Sequence, residues 1–220
     1  MKLKKILIIT GLISVFPLTG YAFDLPKVDV PGVGSSGSQA DVKGLADQQS
    51  AVVKSLNAAL RDLSKSQNII ASALGLQEEA SVAKSNAESL SKGDLSGKDD
   101  IKKAVTSTLE VQKKIDEKMA QGITLDAASK AKFATAIPPY ATGTINIFQT
   151  ANKAKDAAKA LSQTRDLTVL AQLGTLIYVG SEAPNLISSF TSATSNISKF
   201  ATSNGVDTSK LKNVTKSLGE

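Results

Sequence analysis

"VVKSLNAALRDLSKSQNIIASALG", residues Val52 to Gly75, decides the fold class. Val52, Leu56, Leu60, Leu63, Ile70 and Leu74 recur at three- and four-residue steps, with Gln67 filling the one missing place on the stripe. That period belongs to a helix with one apolar face, and Gly75 stands where such a helix would end. Upstream, Gln49, Leu45 and Val42 continue the same stripe to Asp41.

Helical signals fill most of the chain beyond Gly75. Ala80, Ala83, Ala87 and Leu90 form a thin stripe of small residues that lets a neighbour approach closely. After the break at "SKGDLSG", Ser96 to Asp99 has the form of a capping box, with Asp in place of the usual Glu or Gln. Ile101, Val105, Leu109, Ile115 and Met119 carry the next face, which Gly122 stops. Thr124 is the expected N-cap of "LDAASKAKFATAI", and Pro138-Pro139 predict a kink or a break, because neither proline can donate to the helical ladder. Ile147 (or Phe148), Ala151, Ala154, Ala158 and Leu161 then resume the period up to a corner at Arg165-Asp166. No convincing strand alternation and no internal repeat occur.

Glu182 is the only charge between Leu167 and Ser198. Leu167 to Gly180 is apolar on more than one face, which means burial from several sides. Leu186, Phe190, Ala193, Ile197 and Phe200 make a single stripe opposite a run of serines, and Leu211, Val214 and Leu218 align on a last short helix. The reading is an all-α domain over residues 41–220: an antiparallel bundle of about six or seven helices, with a central hydrophobic helix near 167–180. At "GSEAP", Gly180 is expected to end one helix and Ser181 to cap the next. Glu182 and Pro184 would occupy the first turn of that second helix, where an acid and a proline are both favourable. The alternative role for Ser181, Glu182 and Pro184 is a binding site built around an isolated acid.

The chain ends set the compartment. Lys2, Lys4 and Lys5, an apolar run from Ile6 to Leu18, and small residues at Gly20 and Ala22 predict a Sec signal peptide over residues 1–22, cleaved after Ala22. No cysteine follows it, which excludes a lipid anchor. Residues 23–40, with prolines and glycines and no helical period, read as an extended leader. The formal charge of +6 falls to +3 once the three signal-peptide lysines are removed. Acidic and basic residues interleave from Asp41 to Lys132, as on solvated helix faces, so nucleic acid is not the expected partner.

Absences exclude most catalytic chemistry. With no His and no Cys there is no imidazole base, catalytic triad, thiolate nucleophile or thiolate metal site. Ser-x-x-Lys occurs at Ser81/Lys84, Ser89/Lys92, Ser129/Lys132 and Ser209/Lys212, about as often as the abundance of serine and lysine produces by chance. The adjacent acids Glu78-Glu79, Asp99-Asp100 and Asp116-Glu117 read as solvated faces or first-turn charges, since neighbours on a helix point about 100° apart. "GVGSSG" (Gly32 to Gly37) lacks the strand and helix of a phosphate loop.

The function this implies is an exported, soluble, non-catalytic binding module, periplasmic or secreted, with a protein partner and no cofactor or metal. The alternative is a membrane-active, pore-forming-like protein that releases the charge-poor hairpin 167–200, a reading that allows transient membrane contact. A permanent transmembrane anchor is not expected: Leu167 to Gly180 as a helix spans roughly 21 Å against about 30 Å of hydrocarbon.

Overall fold

The Val52–Leu74 stripe is buried along one side of the first helix, with Leu56, Leu60, Leu63 and Ile70 almost wholly withdrawn from solvent. Each such side chain stabilises the fold by about 1.5–3 kcal/mol relative to an exposed one. The computed structural model describes residues 39–93, 95, 97–161 and 167–217. The expected signal peptide, the leader as far as residue 38, Ser96 and the Arg165-Asp166 corner lie outside them.

Seven helices make up the described fold: α1 (Gln39–Ala73), α2 (Gln77–Ser91), α3 (Lys98–Met119), α4 (Ala127–Leu161), α5 (Leu167–Gln172), α6 (Gly174–Ser203) and α7 (Ser209–Ser217). No strand occurs among the described residues, and the helices pack against one another. The most extensive pairings are α1 with α4 and α4 with α6, while α2 and α3 pack on α1, and α7 on α4. On α2, Ala80, Ala83, Ala87 and Leu90 are the buried stripe. The core is mainly aliphatic, with Phe133, Tyr140 and Phe190 as its bulkiest buried side chains. Phe133 of α4 meets Phe200 of α6 at 5.5 Å between ring centroids.

Helix ends follow local chemistry. Gly75, Gly122 and Gly205 stand just past α1, α3 and α6 with φ of 77°, 67° and 72°, a left-handed conformation glycine adopts without a Cβ penalty. Asp126, not Thr124, caps α4: its carboxylate accepts the Ser129 N–H at 2.7 Å. The N-cap of α3 is Gly97, which makes no side-chain cap bond.

The break expected at Pro138-Pro139 and the corner expected at "GSEAP" do not occur, and an unexpected division occurs at Leu173. Pro138 and Pro139 lie inside a continuous α4. The carbonyls they leave without a helical donor belong to Ala134 and Thr135, both exposed, so water can take the missing bonds. The corner expected at "GSEAP" is also absent. α6 runs through Gly180, Ser181, Glu182 and Pro184 without a turn, so Ser181 caps nothing and residues 167–200 form no hairpin. Pro184 sits on the exposed side of that helix.

The apolar segment 167–180 is instead divided at Leu173, between α5 and α6, and is not a single central helix. Leu173 still donates to the Val169 carbonyl, and Ile177 to the Leu173 carbonyl. The rung between them is taken by a side chain from α1. Gln49 Oε1 accepts the Leu176 N–H at 3.0 Å, and Gln49 Nε2 donates to the Gln172 carbonyl at 3.1 Å. One amide inserted into the ladder satisfies both groups that a regular helix would have paired. No helix among the described residues is long and apolar enough to cross a membrane.

Two glycines set how closely α4 meets its neighbours. A Cβ on Gly180 would lie 2.4 Å from the Ala158 methyl and 2.6 Å from the Ala154 carbonyl oxygen. A Cβ on Gly143 would lie 2.8 Å from Leu63 Cγ and 3.2 Å from the Leu63 nitrogen. The helices must part to admit either methyl group. Gly180→Ala is expected to lower the unfolding free energy by about 1–3 kcal/mol, less the 0.5–1 kcal/mol that alanine gains over glycine in a helix. Gly143→Ala should cost less, because its approaches are longer and the nearest backbone atom is 3.2 Å away rather than 2.6 Å. Gly44→Ala, with open space around residue 44, should raise stability by about 0.5–1 kcal/mol. Urea-unfolding midpoints check the order, and a neutral Gly180→Ala would refute the close approach. Gln49→Glu, which keeps the acceptor and removes the donor, is expected to lower the midpoint by the equivalent of about 1–3 kcal/mol.

Candidate functional site

α3 carries Thr108, Gln112 and Asp116 at four-residue spacing, and so on one face. Thr108 and Gln112 are buried, and Asp116 is half-buried near the end of the helix. Polar groups withdrawn from water need partners, and the surrounding helices supply most of them, leaving Gln67 Oε1 buried and unpartnered. Gln67 Nε2 of α1 donates to the Thr108 carbonyl and to Gln112 Oε1, each at 3.0 Å. Tyr140 of α4 donates its hydroxyl to the same Gln112 oxygen at 3.1 Å. The Gln112 amide nitrogen in turn donates to Asp116 Oδ1 at 3.0 Å. α6 borders this run, with Thr194 beside Tyr140 and Asn196 beside Asp116, each lowering its neighbour's pKa. Three helices therefore share one hydrogen-bonded run of polar side chains, and a fourth lies against it.

The electrostatics follow the burial. Desolvation pushes the Asp116 carboxyl above the ordinary 3.8, and the amides of Gln112 and Asn196 pull it part of the way back. Burial, then the negative charge of Asp116, raise the Tyr140 phenol well above 10, which keeps it a neutral donor. Among the described residues no lysine or arginine pairs with Asp116. Its sequence neighbour Glu117 faces solvent and pairs with Lys113 and Lys114.

Asp116 marks where the chain reaches the surface. A cleft of about 540 Å³ opens between the end of α3, the loop at Gly122–Thr124 and the last turns of α6. Met119, Ile123 and Phe200 give it apolar walls, and Asn196 and Lys199 stand on the α6 side. Asn204 fixes the loop: its Oδ1 accepts the Leu125 N–H at 2.8 Å and its Nδ2 donates to the Phe200 carbonyl at 3.0 Å.

The residues singled out in the sequence lie elsewhere. Ser181 Oγ donates to the Tyr178 carbonyl at 2.8 Å, and Glu182 accepts from Asn185 at 3.2 Å, so both bond within their own helix. Glu182 also helps burial raise the Tyr178 phenol. Fourteen residues of α6, about 21 Å, separate Glu182 from Asn196. Asp116 does not belong to a solvated face as its pairing with Glu117 suggested. The signal that finds it is the four-residue spacing of Thr108, Gln112 and Asp116 along the apolar face of α3. Among the described residues, no three His, Cys, Asp or Glu side chains are grouped to hold a metal. Comparison with protein-family models, with curated proteins and with solved structures gives no match for this chain.

The raised Asp116 carboxyl makes a signed prediction. Because the folded state holds this proton more tightly than the unfolded chain does, the stability it contributes is fully present below the unfolded value of 3.8. It is lost as pH rises through the higher folded value. Asp126 and Asp207, held below 3.8 chiefly by backbone N–H bonds from Ser129 and Ser209, act oppositely and lose their contribution as pH falls. Asp116→Asn is therefore expected to compare best with the unmodified protein at pH 7 and worst at pH 4. Unfolding free energies at the two pH values, running parallel for the two proteins, would contradict the assignment.

Proposed function

We propose that this chain is an exported helical protein that acts by binding a protein partner and does no catalysis itself. One observation carries the reading: the polar side chains that converge inside the domain are bonded to one another, with the Tyr140 phenol held neutral. They join helices and present no reactive group. Inside, Asn57 Oδ1, Ser64 Oγ, Gln67 Oε1 and Thr144 Oγ1 are buried without a hydrogen-bond partner, but none is a reactive group. The accessible hydrogen-bonding capacity lies on the outside, and α6 offers it in an unusual form. Ser181, Asn185, Ser188 and Ser192 are exposed along one face, short and uncharged. Burying such a face costs little side-chain entropy and removes no charge from water, which suits the interior of a protein interface.

In this reading residues 1–22 are a signal peptide removed after Ala22, and the mature chain works in the periplasm or outside the cell. The domain is an antiparallel bundle. Two pairings support that arrangement: Leu63 faces Gly143 while Gln67 and Tyr140, further along α1 and further back along α4, meet on Gln112. Likewise Gly180 faces Ala154 and Ala158, while Phe200 meets Phe133.

Two measurements test the proposal. Mass spectrometry of the chain recovered from its native host should give an N-terminus at Phe23, whereas a chain retained in the cytoplasm with Met1 would defeat the export claim. A photo-crosslinking residue at Ser188 should give an adduct of one discrete mass in the exported fraction, absent when the crosslinker replaces exposed Lys103 on α3. Identical patterns from both positions, or no adduct from Ser188, would defeat the binding claim.

A further inference from the structure

A carboxylate that is half withdrawn from water and faces an open cleft needs an opposite charge, and the protein supplies only amides. Asp116 accepts from Gln112 and has Asn196 beside it, and among the described residues it has no cationic partner. Two helices end at the same place. The carbonyl ends of α3, at Met119, and of α6, at Ser203, both border the cleft, and the negative end of a helix dipole favours a cation. The cleft thus has a negative floor beside Asp116 and apolar walls at Met119, Ile123 and Phe200. Lys199 stands at its rim three residues beyond Asn196, about 4.5 Å further along α6. Lys199 is exposed and, like Asp116, has no ion-pair partner among the described residues.

We propose that this cleft is a binding site for a small zwitterionic amine, whose ammonium group pairs with Asp116 and whose carboxylate pairs with Lys199. The apolar walls take the hydrocarbon between the two charges, so the ligand class is an amino acid with its charged groups separated by a short aliphatic chain. A simple amine would leave Lys199 unpaired and meet its repulsion. A simple carboxylate would meet Asp116 and two negative helix ends. The arrangement selects for both charges together, since each wrong ligand leaves a like charge facing it. The cleft is distinct from the Ser181–Ser192 face of α6, and the inference goes beyond the partner-binding reading: either can fail alone.

The test uses the folded chain and three probes of matched length: 6-aminohexanoate, hexylamine and hexanoate. The side-chain amide signals of Gln112 and Asn196, followed by NMR, report occupancy of the cleft. Saturable shifts are expected with 6-aminohexanoate, binding at least tenfold weaker with hexylamine, and none with hexanoate. Asp116→Asn should weaken 6-aminohexanoate binding tenfold or more, and Lys199→Ala, an exposed substitution, should erase the preference for 6-aminohexanoate over hexylamine. The Lys199 variant and the matched probes decide the matter even if the Asp116 variant folds poorly. No shift with any probe at tens of millimolar, or equal affinity for 6-aminohexanoate and hexanoate, or an unaltered preference in Lys199→Ala, would overturn the proposal.

Discussion

The carbonyl oxygen of Ala154 and the methyl of Ala158 occupy the space where any side chain on residue 180 would have to go. α6 can therefore lie directly on the backbone of α4 only because residue 180 is glycine. On another side of α4, Gly143 admits Leu63 of α1 in the same way. Packed interiors deform little, so the approach distance at these two contacts is passed on to everything else α1 and α6 touch. α2 and α3 rest on α1, α7 rests on α4, and the cleft is framed by α3 and α6. The domain is organised around α4.

Given that spacing, the polar run from Gln67 to Asn196 sets register. Leucine and alanine faces can slide against one another with modest loss, whereas Gln112 meets Gln67 of α1 and Tyr140 of α4 together in one alignment only. A slip would strand several buried polar groups at once, each costing about 1–3 kcal/mol. The same run leads outward to Asp116, so the feature that fixes the helices also delivers an uncompensated carboxylate to the cleft. Gln49 applies the same logic at the start of α6, where an amide from α1 stands in for one missing rung.

Much of this was legible in the sequence, and the limits have physical causes. The stripes Leu56–Leu60–Leu63–Ile70 and Ala80–Ala83–Ala87–Leu90 announced their buried faces because periodicity is a local property. Gly75 and Gly122 announced helix ends for the same reason. Gly180 and Pro184 misled, because their local preferences favour a helix boundary while the actual role of Gly180 is a contact with Ala154, some 26 residues away in the chain. The division at Leu173 was equally hidden, since it depends on a side chain 127 residues distant from Leu176. Asp116 resembled its exposed neighbour Glu117, and only the arrival of α6 distinguishes them. Of the candidate site, the buried glutamine on the α1 stripe was visible, but what it binds was not.

Native-state hydrogen exchange, resolved by residue, tests most directly whether α4 is the element the others depend on. The amides of α4 between Phe133 and Ala151 should exchange only through global unfolding, with a free energy equal to that from urea, while α2 and α7 open at lower cost. Exchange in α4 through a local opening that leaves α2 or α7 protected would contradict the account.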